Sequence, residues 1–134
     1  MLLVGGALPP VRVEAQQASL VAPGSTWQYL DTGTNQGTAW RARTFDDRTW
    51  KSGNAELGYG DGDEATIVGY GPNASAKFPT TYFRHAFSVS DPSLLGSLAL
   101  RLRRDDGAVV YVNGTEVFRS NMPAGAVAYS TLAS

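Results

Sequence analysis

Three acidic side chains in a glycine-rich loop are the first residues with the chemistry of a ligand site. Asp61, Asp63 and Glu64 lie in the run 58–64, where the other residues are three glycines and Tyr59. Closely spaced carboxylates on a flexible loop suit Ca²⁺, which prefers oxygen ligands. The longer calcium-loop pattern that ends in a bidentate Glu is missing, so a solvated turn explains the same residues. The sequence thus leaves two interpretations, a calcium site and an ordinary turn.

Aromatic and acidic residues are interleaved in a second region, residues 40–50. Trp rings stack on the apolar face of sugar rings, and carboxylates accept hydrogen bonds from sugar hydroxyls, so this region would suit a sugar platform. It would equally suit a structural motif, in which the aspartates close a turn and the aromatic rings seal one end of the core. The residues of this motif are Trp40, Phe45, Asp46, Asp47 and Trp50.

Catalytic chemistry is not indicated by the remaining titratable residues. His85, the only histidine, lies between Phe83 and Phe87 on a predicted core face, where we expect a packed, hydrogen-bonded side chain. Asp105 and Asp106 are adjacent in sequence, whereas the two carboxylates of a glycosidase face each other across the substrate. The sequence contains no cysteine and no nucleophile-elbow motif. It therefore predicts a protein that is not an enzyme.

Short alternating segments predict the strands that position these residues. In residues 81–89 one face carries Phe, His and Val side chains, and in residues 98–102 Leu alternates with Ala and Arg, so each segment should be a strand with one buried face. Asn113-Gly114 between two alternating runs predicts a hairpin, because both central residues of a type I′ turn need positive φ. A strand over 27–30, the start of another over 126–129 and short helical turns over 45–50 and 92–95 complete the prediction.

Composition points to one β-rich domain without the charge that nucleic acid requires. The 134 residues include 15 Gly and 7 Pro, which is typical of all-β proteins with many turns. A net charge of −1 supplies no basic field for DNA or RNA, and no apolar run is long enough for a membrane span. Residues 1–18, which begin MLLVGGAL, have the character of a secretory-signal tail or a disordered segment. We therefore expect an exported protein with one domain over 19–134.

The order and spacing of these motifs resemble the sugar-binding jelly-roll domain of family 2 glycoside hydrolases. The motifs concerned are residues 40–50, 81–89, 98–100 and 106–117. More broadly, residues 19–134 resemble the galactose-binding-like superfamily and accessory modules of secreted bacterial metallophosphoesterases and hydrolases. The resemblance implies an antiparallel all-β sandwich. Such sandwiches close with further strands, so we expect a C-terminally incomplete fold that is marginally stable and prone to associate.

A second resemblance concerns Asp105-Asp106-Gly107, which is similar to the paired-aspartate loop of lectin domains like the anthrax protective-antigen adhesin module. In those domains the loop holds Ca²⁺ that contacts a glycan. The other interpretation of these residues is a plain turn that leads into the following strand. Calcium is accordingly the one cofactor that the sequence suggests.

Together, the resemblances imply a non-catalytic, carbohydrate-binding-like accessory module of a secreted multidomain bacterial protein. Its partner would be a glycan or a neighbouring domain of the same longer chain. A purely structural, interdomain-packing sandwich without a ligand is the alternative, since fold does not imply function. The predicted sugar contacts are stacking or polar residues on or beside loops at one end of the sandwich: Trp27, Tyr59, Asp61, Asp63, Glu64, Arg104 and Asp106.

Overall fold

The computed structural model describes residues 19–134, and the signal-like segment 1–18 lies outside the described residues. Within them the fold is rich in strands with little helix, which confirms the β-rich class. The strands are β1 Thr26–Leu30, β2 Lys51–Asn54, β3 Leu57–Gly58, β4 Thr66–Ile67, β5 Tyr82–Arg84, β6 Ala108–Val112 and β7 Thr115–Ser120, and the helical elements are two 3-10 turns, Ala39–Arg41 and Pro92–Leu94.

These strands form three small sheets. β1 lies between β2 and β5 in an antiparallel sheet, and β6 pairs with β7 in a hairpin. β3 and β4 pair in parallel, with Leu57 opposite Thr66, so the prediction of antiparallel pairing throughout is wrong at this point. The chain must return to the starting end of β3 before a parallel strand can pair with it, and the connection 59–65, which contains most of the glycine-rich loop, makes that return.

The central strand β1 begins where the sequence predicts a strand. A Pro23-Gly24 turn precedes it, with Gly24 at φ 78° and the Ser25 amide donating to the Ala22 carbonyl at 3.2 Å. Glycine adopts such a positive φ without strain, so the local sequence Pro23-Gly24 is sufficient to predict this turn. Tyr29, in the middle of β1, is buried between the two neighbouring strands.

The described core is small and mostly aromatic. Its buried apolar residues are Tyr29, Trp50, Val68 and Tyr82. The predicted core face of residues 81–89 is wrong in part, because Tyr82 is buried whereas Phe87 is exposed. The strand ends at Arg84, and only Tyr82–Arg84 pairs with β1, so the residues that follow have no neighbouring strand to hold the predicted alternation.

The β6–β7 hairpin forms as predicted around Asn113-Gly114. Asn113 has φ 50° and Gly114 has φ 86°, which are the two positive values that a type I′ turn requires. A register shift between Val110 and Tyr111 leaves Val117 without an opposite residue and forms a bulge. The turn therefore sets the hairpin, and the bulge adjusts its twist.

Several other predicted elements differ from the structure. The leucine segment 98–102 is not a strand, and its leucines are exposed rather than core-facing. Residues 126–129 do not begin a strand, and the helical turn predicted over 45–50 is replaced by one at Ala39–Arg41. The turn at Pro92–Leu94 is confirmed, with the Asp91 carboxylate accepting from the Ser93 amide at its start. None of the helices described in residues 19–134 is long and apolar enough to cross a membrane.

Candidate functional site

A polar cleft of ≈ 200 Å³ lies between the glycine-rich loop and the start of the hairpin region. It gathers four of the seven predicted sugar contacts, namely Tyr59, Asp61, Glu64 and Arg104, from segments about 40 residues apart in sequence. Only folding brings these segments together. The complete lining consists of Glu56, Leu57, Gly58, Tyr59, Asp61, Glu64, Arg103, Arg104 and Asp105.

The Glu64 carboxylate folds the glycine-rich loop around itself. Its two oxygens accept hydrogen bonds from the Asp61 and Gly62 amides, both at 2.9 Å. The Asp61 amide is the main cause of a pKa of Glu64 below the ordinary value, because a carboxylate that accepts backbone N–H bonds is stabilised in its charged form. Gly60 and Gly62 adopt φ 112° and 82°. Glycine accommodates these positive values, and the loop can therefore direct the Asp61 and Gly62 amides toward the Glu64 carboxylate.

The three predicted calcium ligands do not gather into an oxygen cage. Across residues 19–134 no group of three or more His, Cys, Asp or Glu side chains is placed to hold a metal ion. Glu64 is engaged by the loop backbone, while Asp63 extends to the Arg103 guanidinium at 3.3 Å. The Glu64 and Asp63 carboxylates thus have separate partners, and Asp61 is exposed.

Two arginines form the opposite wall of the cleft. Arg103 forms an ion pair with Glu56. This ion pair joins the residues that follow the leucine segment 98–102 to the side of the cleft that carries the glycine-rich loop. Arg104 is held by neutral oxygens: its Nε donates to Ser120 Oγ at 3.0 Å, and its Nη1 donates to the Asp105 and Asp106 carbonyls, each at 3.0 Å. Sequence reasoning missed Glu56 and Arg103, since only the tertiary contact between distant segments shows that they share a site.

An aromatic pair extends from the cleft. The Tyr59 and Tyr70 rings are tilted at 55° with their centres 4.9 Å apart, and Lys77 Nζ lies 4.6 Å from the Tyr59 ring centre. Tyr59 is half-buried and lines the cleft. The Tyr59 ring is therefore held in a defined position, as a stacking surface must be.

Three predicted contacts, Trp27, Asp63 and Asp106, lie outside the cleft lining. Trp27 is on β1, where its ring lies 5.0 Å from the His85 ring, and His85 Nδ1 is 2.9 Å from the Thr26 carbonyl oxygen. Asp106 uses its carbonyl to hold Arg104, in the turn that leads into β6. The structure therefore places His85 as a packed, hydrogen-bonded residue and Asp105-Asp106-Gly107 as a turn.

Arg84 organises the aromatic motif, and sequence reasoning missed it. Its Nε donates to the Asp47 carboxylate at 2.7 Å, and its Nη1 donates to the Trp40 and Ala42 carbonyls. The guanidinium also lies 5.3 Å from the centre of the Phe45 ring. In the sequence, Arg84 lies within an alternating segment, and alternation alone predicts that its side chain faces solvent. The sequence therefore contained no sign of its contacts with the aromatic motif.

The other members of the motif have structural contacts as well. Asp46 accepts two hydrogen bonds from the Arg48 guanidinium, at 2.8 and 2.7 Å, and so stabilises its own turn. Trp50 is buried against Phe45, with ring centres 5.6 Å apart. Trp40 packs edge-on against Tyr82 and against Tyr111 of β6, and so connects the hairpin to the main sheet. None of these residues lines the cleft.

The assignment of this site depends on its own geometry. No family model, no curated protein and no solved structure matches the chain. What the structure provides is a small cleft with one fixed tyrosine ring, carboxylates on one wall and guanidinium groups on the other.

Proposed function

We propose that the protein is a non-catalytic carbohydrate-binding module and that the polar cleft is its sugar site. The observation that carries this proposal is the meeting of the Tyr59 ring with Asp61 and Arg104 in one small cleft. A sugar offers an apolar ring face for stacking and hydroxyl groups that both donate and accept. The cleft has a partner for each of these features.

The roles of the three residues follow from their chemistry. The Tyr59 ring stacks on the C–H face of the sugar. The Asp61 carboxylate is exposed and accepts hydrogen bonds from sugar hydroxyls, while Arg104 donates to a hydroxyl oxygen. Arg104 is already held by three neutral oxygens, so it loses little conformational freedom when a ligand binds.

The size of the cleft favours a single sugar ring or a chain end. At ≈ 200 Å³ it is smaller than the roughly 300–1,000 Å³ of sites for drug-sized ligands. A shallow site of this kind binds weakly, so affinity in a complete system would come from several modules or from repeated sugar units. That expectation suits an accessory module better than a free-standing receptor.

The wider context of the proposal comes from the sequence. We place the module in a galactose-binding-like jelly-roll sandwich of an exported multidomain bacterial protein, as the motif resemblance and the signal-like residues 1–18 suggest. Its partners would be a glycan and a neighbouring domain. Catalysis is not part of the proposal, because Glu56 and Glu64 are engaged by an arginine and by backbone amides, and His85 packs elsewhere.

Screening the purified chain on a glycan array, followed by calorimetric titration of the best sugar, tests the proposal. Asp61→Asn should weaken binding by at least about tenfold, since a charged acceptor is lost. Asp106→Asn is the matched control, because Asp106 does not line the cleft, and it should bind like the wild type. Chelation of Ca²⁺ should leave the affinity unchanged. Absence of any sugar ligand, or equal losses in the two variants, would contradict the proposal.

The second candidate is a structural packing module, which one specific observation favours. Leu98, Leu100 and Leu102 are exposed on a segment that the sequence predicts as core-facing. Apolar side chains in such a row mark a protein contact surface. If the glycan array gives no ligand while this surface binds protein, the packing function replaces the sugar-binding one.

A further inference from the structure

Asn113, in the hairpin turn, differs from the other asparagines of the chain. Of the five asparagines, it alone is followed by glycine. Its side chain is exposed and makes no hydrogen bond within residues 19–134. The other four side chains are each held by a hydrogen bond: Asn35 by the Gly37 amide, Asn54 by Thr26 Oγ1, Asn73 by the Ser75 amide and Asn121 by the Asp106 carbonyl.

The amide of Gly114 is free as well. Gly114 is the second central residue of the type I′ turn, at φ 86°, and the ladder pair that closes the turn is Val112 with Thr115. In the part of the chain that the structure describes, the Gly114 amide donates to no carbonyl. The space around it is open: apart from its neighbours in sequence, the nearest atom to a Cβ there would be the Arg41 carbonyl oxygen, at 3.7 Å.

We propose that Asn113-Gly114 is a site of spontaneous deamidation, a covalent modification of the hairpin turn. The Gly114 nitrogen attacks Cγ of Asn113, a C–N bond forms, and the Cγ–Nδ2 bond breaks. Ammonia leaves, carrying the proton that the Gly114 nitrogen loses, and a five-membered succinimide ring remains. Glycine favours this attack because no Cβ hinders its nitrogen.

Water then opens the succinimide ring in one of two ways. When water adds at Cγ, the bond from Cγ to the Gly114 nitrogen breaks and residue 113 becomes aspartate. When water adds at the main-chain carbonyl carbon of residue 113, the bond from that carbon to the nitrogen breaks and the product is isoaspartate. In both cases the nitrogen regains a proton from water.

The two products have different effects on the turn. Aspartate keeps the length of the main chain and tolerates the positive φ of 50° that Asn113 adopts. Isoaspartate continues the main chain through its side-chain carbon atoms and so lengthens the two-residue loop. Because loop length and turn type set the register of a hairpin, the lengthened loop no longer fits β6 and β7.

The turn lies next to the contacts that join the hairpin to the main sheet. Tyr111 packs edge-on against Trp40, with ring centres 5.7 Å apart, and the Arg41 guanidinium lies 4.2 Å from the centre of the Tyr111 ring. Tyr111 is two residues from Asn113 in sequence. Isoaspartate at residue 113 should therefore loosen this connection, whereas aspartate should preserve it.

Ageing of the purified chain in mildly alkaline buffer, followed by peptide mapping with mass spectrometry, tests the proposal. Asn113 should deamidate at least about tenfold faster than any other asparagine, because only its attacking nitrogen belongs to glycine. Electron-transfer fragmentation distinguishes isoaspartate from aspartate at residue 113. The other four asparagines are internal controls in the same sample, and equal rates at all five would overturn the proposal.

The same ageing in concentrated urea separates the effect of the fold from that of the sequence. The folded chain should deamidate at Asn113 within about tenfold of the rate in the unfolded chain, because the exposed turn leaves both reacting groups free. The four hydrogen-bonded asparagines should react more slowly in the folded chain than in urea. An Asn113 that deamidates only in urea would contradict the proposal, since the turn would then protect it.

Asn113→Asp and Asn113→Gly test the effect on the hairpin. Both residues accept a positive φ, and neither has a side-chain amide to lose as ammonia. Fresh samples of both should melt close to the wild type and stay unchanged on ageing, while the wild type should lose melting temperature in proportion to its isoaspartate content. An equal loss in aged Asn113→Gly, or an isoaspartate-containing wild type that melts like fresh protein, would overturn this effect.

Discussion

The segments 81–89 and 98–102 both have the alternation that predicts a strand, but only the first contains one. Tyr82–Arg84 is strand β5, paired with β1, and Tyr82 is 5 % exposed. In residues 98–102 Leu alternates with Ala and Arg, yet these residues are unpaired and their leucines are exposed. The local sequence favours a strand in both cases.

The difference between the two segments lies in their neighbours. β1 offers Gln28, Tyr29 and Leu30 as ladder partners, and the Trp40 and Trp50 rings cover Tyr82. No described strand pairs with residues 98–102. A strand is stabilised by its partner strand and by the side chains packed on its face, so the alternating pattern alone does not create one.

Truncating one apolar side chain in each segment should give the largest contrast. Tyr82→Ala should lower the free energy of unfolding by about 3–5 kcal/mol, because it leaves a cavity among aromatic rings. Leu100→Ala should change it by less than about 0.5 kcal/mol, because Leu100 is already in solvent. Urea denaturation, at concentrations where the chain is monomeric, measures both. Equal losses would mean that the two segments are packed alike.

Removing the arginine from each segment should give a smaller contrast. Arg84→Met should cost about 2–3 kcal/mol, because Asp47 loses its partner and the Trp40 and Ala42 carbonyls lose their donor. Arg101→Met, on the unpaired segment, is the control and should be nearly neutral. Thermal denaturation of the two variants measures the difference. A neutral Arg84→Met would show that the ion pair does not stabilise the aromatic motif.

Acid should act on the paired segment through Asp31, at the end of its partner strand. Burial raises the pKa of Asp31, but Lys51 Nζ, 3.0 Å from Oδ2, and the Gly69 amide, at 2.6 Å, together hold it below 3.8. Because folding lowers this pKa, the stabilisation is present above pH 3.8 and is lost as pH falls through the folded value.

Asp31→Asn tests this acid dependence and should have the smallest effect of the three changes. It should cost about 1–3 kcal/mol at neutral pH, because a buried charged acceptor is lost, and it should flatten the decline in stability below about pH 4. The pKa of Lys51 is raised above 10.5 mainly by its hydrogen bond to Asp31, so the pair also weakens as pH rises past that value. Unfolding curves measured across pH give the free energy of unfolding at both the acid and the alkaline end. An unchanged acid slope in the variant would contradict this role.

Predictability differed from one part of the fold to another. The Asn113-Gly114 hairpin and the Pro92–Leu94 turn were correctly predicted, because turn residues act through their own φ and through neighbours in sequence. The start of β1 after Pro23-Gly24 followed the same logic. The leucine strand and the core face beyond Arg84 were wrong, because both depended on partners far away in the chain.

The candidate site was likewise predicted in part, for residues whose own chemistry indicates a ligand contact, and missed where it depends on contacts between distant segments. Residue chemistry indicated Tyr59, Asp61, Glu64 and Arg104, which the structure brings to one cleft. It also indicated Trp27, Asp63 and Asp106, which do not line it. Glu56 and Arg103 had no signal in the sequence, because their ion pair joins segments 47 residues apart. Within the described residues, Asp61, Asp63 and Glu64 do not form one cluster of ligands, because the Asp61 and Gly62 amides face Glu64 and Asp63 pairs with Arg103.

By itself, the sequence determined the β-rich class, the tight turns and the kinds of side chain available to a ligand. These depend on single-residue φ preferences, on period-two alternation and on side-chain chemistry, all of which are local. Only the tertiary structure decided which alternating segment found a partner, which carboxylate faced backbone amides and which loops met in a cleft. Those outcomes depend on contacts between distant segments, and a pattern within one segment does not specify them.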